Sequence, residues 1–363
     1  DTIPSIPGVT FILDHFIVTA LDRFLVVPTS ERFFKLHIES DSEGLDGFIE
    51  RYLPTKLSMA KVESSQFTDL SRFTSLQHLM TDFVRVILPP SLTAFESHRP
   101  ILQLLDTTSA HCNKLENALT GLTFLRLDRQ ELTVPFASFV PNLRSLVLKN
   151  APFSISLEDM TTLTFIRVDS SPFDASATFP TSLNTLIVAR CPRFACATIA
   201  PLTQLTELRL FIRPDDQPCE DSPLDLSSLT RLNNGVFDVP TPIIFPSSLH
   251  ALRVTPHADL DFSVMRELDF LLINPCGPFT HIPPPVIHHL SINRCDNHNV
   301  RKLRDVRVDY LDCLPTVFDP SDMPVTLRGF CTLTFESPQE RFQLFLEQQQ
   351  NLHPRVKAAY LQF

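Results

Sequence analysis

The pattern L-x-x-L-x-L, with any apolar residue accepted at its three fixed positions, returns at a near-constant interval along most of this chain. From the middle onward it reads Leu122–Leu125–Leu127, Leu143–Leu146–Leu148, Leu163–Ile166–Val168, Leu183–Leu186–Val188 and Leu205–Leu208–Leu210. It continues through a weaker Leu229–Leu232, then Leu249–Leu252–Val254, Leu268–Leu271–Ile273, Ile287–Leu290–Ile292, Leu303–Val306–Val308 and Leu327–Phe330. Successive starts lie 21, 20, 20, 22, 24, 20, 19, 19, 16 and 24 residues apart. Looser matches precede them at Phe33–Leu36–Ile38, Leu57–Ala60–Val62, Leu76–Leu79 and Leu92–Phe95. The last two apolar positions share one face of a short strand, and the first turns inward ahead of it. A unit this small has too little apolar surface to fold alone. Stacking the units in parallel buries the apolar column and pairs the backbones, so the chain is expected to be one repeat array.

Two further rows accompany the motif. Pro stands three residues before the first apolar position at Pro54, Pro89, Pro180, Pro246, Pro284 and Pro324, in phrases such as "FPTSL" and "FPSSL". Its fixed φ and missing donor suit an extended entry into a strand. Phe follows the strand at Phe153, Phe173 and Phe279, and a Phe column would fill the core. That explains why a chain of 363 residues holds 30 Phe and no Trp. With 31 Pro and only 7 Gly, the composition favours short stiff connections and speaks against Gly-rich phosphate loops.

This pattern resembles the leucine-rich repeat family, at the short end of its period. The Pro-x-x-Leu entry is similar to short repeats of some amoebal and bacterial members, without the catalytic ubiquitin-ligase signature of the bacterial ones. The resemblance implies a strand-rich α/β solenoid: a horseshoe or arc of roughly 13–15 units with a parallel concave sheet. The convex segments would be mostly extended or 3₁₀. The family places Asn or Cys at the ninth position, where it bonds backbone in the turn leaving the strand. Here that position holds Cys191, Cys276 and Cys295, and elsewhere Ala151, Ser171 and His257. Leu183, Leu186, Val188 and those three cysteines are therefore read as structural.

The ends break the period. Residues 1–50 are rich in β-formers and are read as an N-terminal cap or degenerate repeats, and 51–335 as the solenoid. In 336–363, Ser337, Pro338 and Glu340 make a helix-start signature before Phe342, Phe345 and Leu346. This predicts a C-terminal capping helix. A short outer helix is also expected at "SAHCNKLENAL".

The fifth motif position faces the concave side and brings up Arg126, Arg167, Arg209, Arg253 and Arg307. Such a ladder suits an acidic partner group. Asp128, Asp169 and Asp309 each follow an Arg by two residues on the same strand face, so mutual neutralisation is the competing reading. His281, His288, His289, Cys295 and His298 crowd together without a zinc-ligand spacing, so no metal is assigned. His288 and His289 are placed on the concave face as partner contacts. No nucleotide-binding, nucleophile-elbow or zinc-protease motif is present, and no catalytic residue or cofactor is assigned.

The net charge of −10, with no basic block, does not indicate nucleic acid. No apolar run reaches the roughly 20 residues of a membrane span. Eight scattered cysteines without C-x-x-C, and no N-glycosylation sequon, favour a reducing cytoplasmic life. Secretion or surface exposure stays open, because the chain begins at Asp1 without Met. The expected function is a non-enzymatic protein–protein interaction scaffold. The alternatives are a structural or self-associating component and a substrate-recognition module of a ubiquitin ligase.

Overall fold

Alternation of apolar and polar residues makes the strands, and a computed structural model shows how they stack. It describes residues 74–81, 86–97, 120–129, 140–151, 156–172, 177–191, 194–212, 223–256, 262, 264–273, 284–292, 305–313 and 326. Backbone strands are also described at 2–3, 9–13, 16–19, 25–26, 35–38, 56–59, 68–69 and 329–332. The chain divides into two units, Asp1–Ser182 and Leu183–Phe363.

In the first unit, Val9–Leu13 pairs antiparallel with Phe16–Thr19 and with Lys35–Ile38. From there pairing is parallel: Lys35–Ile38, Lys56–Met59, His78–Thr81, Ala94–Ser97, Phe124–Asp128, Ser145–Lys149 and Phe165–Asp169 follow in order. The register puts motif on motif. Leu79, Phe95, Leu125, Leu146 and Ile166 form one row, and none is more than 4% exposed. In the second unit Thr185–Ala189, Glu207–Phe211, Asn234–Val239, Ala251–Pro256, Leu268–Ile273, Val286–Ile292, Arg307–Cys313 and Gly329–Thr332 stack the same way. Each unit is a stretch of parallel β-solenoid. Fully burying a Leu-sized side chain stabilises by roughly 1.5–3 kcal/mol, so the three apolar residues of a motif can offset the ordering of a turn only when neighbours cover them.

The link between repeats recurs in detail. The second motif residue offers its carbonyl to two amides of the next repeat: Thr93 O accepts from the N–H of Thr123 and Phe124, and Thr123 O from Arg144 and Ser145. The Ser of "P-x-S-L" donates to the repeat before it. Ser91 Oγ reaches Leu76 O at 2.6 Å, Ser182 Oγ reaches Leu163 O at 2.8 Å, and Ser248 Oγ reaches Leu232 O at 2.9 Å. Thr162 does the same to Leu143 O. Four consecutive strands are left through a residue with positive φ at the eighth position: Arg129, Asn150, Ser170 and Arg190, at 51–59°. The ninth position then bonds backward. Cys191 Sγ lies 3.2 Å from Ala189 O, and Ser171 Oγ donates to Asp169 O while accepting from the Ala151 N–H. Cys191 is fully buried; Cys276 and Cys295 lie outside the described residues.

Three expectations change. The α part of the α/β assignment is not seen: the helical element among the described residues is a 3₁₀ turn, Cys196–Thr198. The returning side instead makes short parallel pairs, Thr68–Asp69 with Val86–Ile87 and Leu224–Asp225 with Ile243–Ile244. The proposed capping helix and the outer helix at "SAHCNKLENAL" lie outside the described residues.

Second, the weak unit at Leu229–Leu232 is really Leu232–Gly235–Phe237, because Gly235 pairs with Leu208 and Leu252. Glycine occupies a leucine position there. A Cβ on Gly235 would fall on the Phe237 ring, which fills the space. Phe237 then meets Phe245 edge-on at 5.7 Å, and Phe245 stacks on Phe262 at 5.4 Å, giving the core its Phe column.

Third, Leu303–Val306–Val308 is out of register. Leu290 pairs with Leu311, and Ile292 with Cys313, so the motif is Val308–Leu311–Cys313. The steps Leu290–Leu311–Phe330 are then 21 and 19 residues, and the apparent irregularity of 16 and 24 disappears.

Candidate functional site

The face opposite the core is where repeats can differ without cost to stacking. In the first unit the fifth position is Met80, Glu96, Arg126, Val147 and Arg167 in adjacent strands. Glu96 joins its neighbours on both sides. His78 Nε2 lies 3.1 Å from Glu96 Oε1, and an Arg126 guanidinium nitrogen lies 3.6 Å from Glu96 Oε2. Arg126 therefore pairs across strands and not with Asp128, which accepts from Asn150 Nδ2 at 2.9 Å. Arg167 does pair within its strand, 3.7 Å from Asp169. Beside these charges Phe124 and Phe165 stand partly exposed at the third position.

In the second unit Arg209 and Arg253 occupy the fifth position as expected. Arg209 Nε donates to Glu207 Oε1 at 2.6 Å. Arg253 is partly exposed and makes no ion pair among the described residues. Arg307 does not join this ladder. It pairs with Val286 at the strand's start, and the fifth position of its repeat is Asp312, opposite Ser291. Its side chain still lies 3.5 Å from Asp309.

His288 and His289 separate. His289 sits between Phe270 and Tyr310 in the third-position row, with ring centroids 5.5 and 6.3 Å away. It is only 3% exposed, and Phe270 1%. From Ala251 to His289 that row is buried, whereas Phe124 and Phe165 of the first unit are partly exposed, so His289 has little surface to give a partner.

His288 stands one position earlier, opposite Asp309 on the next strand. Its Nδ1 lies 2.6 Å from Asp309 Oδ2, and its Nε2 lies 2.5 Å from Glu267 Oε1. Partial burial works to lower its pKa, but the hydrogen bonds and charges of Asp309 and Glu267 outweigh that and raise it above the usual imidazole value. Asp269, in the second position of the preceding repeat, completes the group: one ligand atom each from Glu267, Asp269 and His288 all lie within 4.8 Å of one another. Asp309 is buried, and the Asp269 carboxylate has no hydrogen bond or ion pair among the described residues. Sequence reading missed this group because its members come from three repeats. The signal available was the row Asp269, His288, Asp309, visible only in the corrected register. His281, Cys295 and His298 lie outside the described residues.

Cys196 is disulfide-bonded. No helix among the described residues is long and apolar enough to cross a membrane.

No protein-family model matches the chain, and no curated protein matches it. Among solved structures, the crystal structure of an internalin from Listeria monocytogenes is similar, with 15% identity and a TM-score of 0.39. The match covers 86% of this chain and 90% of that one.

Proposed function

We infer that the chain is a leucine-rich-repeat-type scaffold that binds a protein partner through the open face of its strands and performs no chemistry of its own. The observation that carries this reading is the face of the first unit: partly exposed Phe124 and Phe165 beside the charged row Glu96, Arg126 and Arg167. Aromatic rings and arginines are the residue types enriched at protein interfaces. The charges there are of mixed sign, which fits a protein surface better than a phosphate backbone. The Arg side chains keep about a third to a half of their surface in contact with solvent, at 35% for Arg126 and 49% for Arg167. Exposed pairs of this sort contribute about 0–1 kcal/mol to stability, so their removal should change binding more than folding.

The test is affinity purification with the parent chain, with Phe165→Ala/Arg167→Ala, and with Arg253→Ala as a control in the other unit. The reading expects a partner recovered with the parent and with Arg253→Ala, and lost with the double variant. A recovered set that is the same for all three would contradict it.

A further inference from the structure

We propose that Glu267, Asp269 and His288 form a binding site for one divalent transition-metal cation of the zinc class, with Asp309 orienting the imidazole. The inference is separate from the partner-binding reading above.

The three residues come from two consecutive repeats of the second unit, and Asp309 from a third. Their ligand atoms already lie within 4.8 Å of one another, close enough for one ion to reach all three. Asp309 Oδ2 sits 2.6 Å from His288 Nδ1, so that nitrogen can keep its proton while Nε2, which faces Glu267, offers its lone pair once a cation displaces the proton there. A carboxylate behind the imidazole is the usual support of a metal-binding histidine. The charge balance points the same way. Three carboxylates surround one imidazole, and the Arg307 side chain beside them lies against Asp309. Asp269 is half-buried and has no hydrogen-bond or ionic partner among the described residues, which leaves a carboxylate facing the cluster. One nitrogen and two carboxylate ligands select a zinc-class ion over calcium or magnesium, which prefer oxygen alone. Three protein ligands leave a fourth position for water, and Glu267, with a side chain 48% exposed, keeps that side open to solvent.

Without a cation, the short His288–Glu267 contact needs a proton on both ring nitrogens. The metal replaces that proton and holds neighbouring repeats at their strand starts. The experiment uses the full chain, stripped with a chelator and dialysed, and titrates it with Zn²⁺ by calorimetry at neutral pH. Because the chain has other histidines and eight cysteines, the variants carry the assignment. The site is expected as a one-equivalent binding event in the parent. It should be lost in His288→Gln, and weakened at least tenfold in Asp269→Asn. Asp309→Asn should weaken it about 10–100-fold, the usual effect of removing a supporting carboxylate. Asp269→Asn is near-isosteric and removes no bond seen among the described residues, so it decides the matter if His288→Gln fails to fold. Absence of a one-equivalent event in the parent, leaving His288 as a proton-held clamp only, overturns the proposal. So does Zn²⁺ binding that Asp269→Asn leaves unchanged, which would place the ion elsewhere.

Discussion

The third motif position behaves in opposite ways in two parts of the molecule. In the first unit it holds Phe124 and Phe165, partly exposed. In the second it is partly exposed at Thr185, Glu207 and Asn234 but buried at Ala251, Phe270 and His289, each 3% exposed or less. The core rows beneath are alike: Leu125, Leu146 and Ile166 in one, Leu252, Leu271 and Leu290 in the other. A solenoid repeat therefore fixes one face and leaves the other to diverge. The first unit leaves Phe124 and Phe165 partly exposed, while the strands holding Ala251, Phe270 and His289 use that row to pack rings.

The largest expected effect comes from breaking this difference directly. Phe270→Ala should cost about 3–5 kcal/mol of stability, as for a fully buried ring. Phe165→Ala should cost about 1 kcal/mol, since much less of its area leaves water. Urea unfolding of both variants reads the contrast, and equal losses would abolish it.

Gly235→Ala sharpens the account of the shared core. The added methyl would meet the Phe237 ring, an overpacking of the kind that costs about 1–3 kcal/mol. Thermal unfolding should show the loss and also show its partial recovery in Gly235→Ala/Phe237→Leu, which restores the motif of other repeats.

A smaller and equal effect is expected from the serine staples. Ser182→Ala in the first unit and Ser248→Ala in the second should each cost about 1 kcal/mol, the value of one inter-repeat hydrogen bond. Unequal losses in denaturant would mean that the two units are not built alike.

The smallest effect is at acid pH. Asp225 accepts hydrogen bonds from the Ser227 hydroxyl and N–H, which hold its pKa below the usual 3.8. A depressed folded-state pKa contributes stability above the unfolded value and loses it as pH falls through the folded one. Asp225→Asn should therefore be slightly less stable than the parent at neutral pH and indistinguishable from it at strongly acid pH. Melting curves across that range check the convergence.

Much of the ladder was legible in the sequence because its signal is redundant. Leu183, Leu186, Val188 and Cys191 carry period, burial and turn chemistry at once, and the structure buries all four. Legibility failed where one residue could serve two registers. Leu303–Val306–Val308 satisfies the apolar pattern as well as Val308–Leu311–Cys313 does, and only parallel pairing with Ile287 and Leu290 chooses between them. At Gly235 the pattern breaks because a neighbour's ring supplies the missing volume, which a residue-by-residue reading cannot see. The His288 group was hidden by the same slip. With Arg307 assigned to the fifth position, Asp309 seemed to lie beyond it, whereas it stands opposite His288. The Arg ladder lost Arg307 for that reason and kept Arg126, Arg167, Arg209 and Arg253 in their expected rows.

Hydroxyl-radical footprinting of the native chain tests most directly the claim that alike core rows carry a third-position row partly exposed at Phe124 and Phe165 and buried at Phe270. Phe124 and Phe165 should be oxidised readily, and Phe270 should stay protected until the chain unfolds. Oxidation of Phe270 at a rate like that of Phe165 in the folded chain would contradict the account.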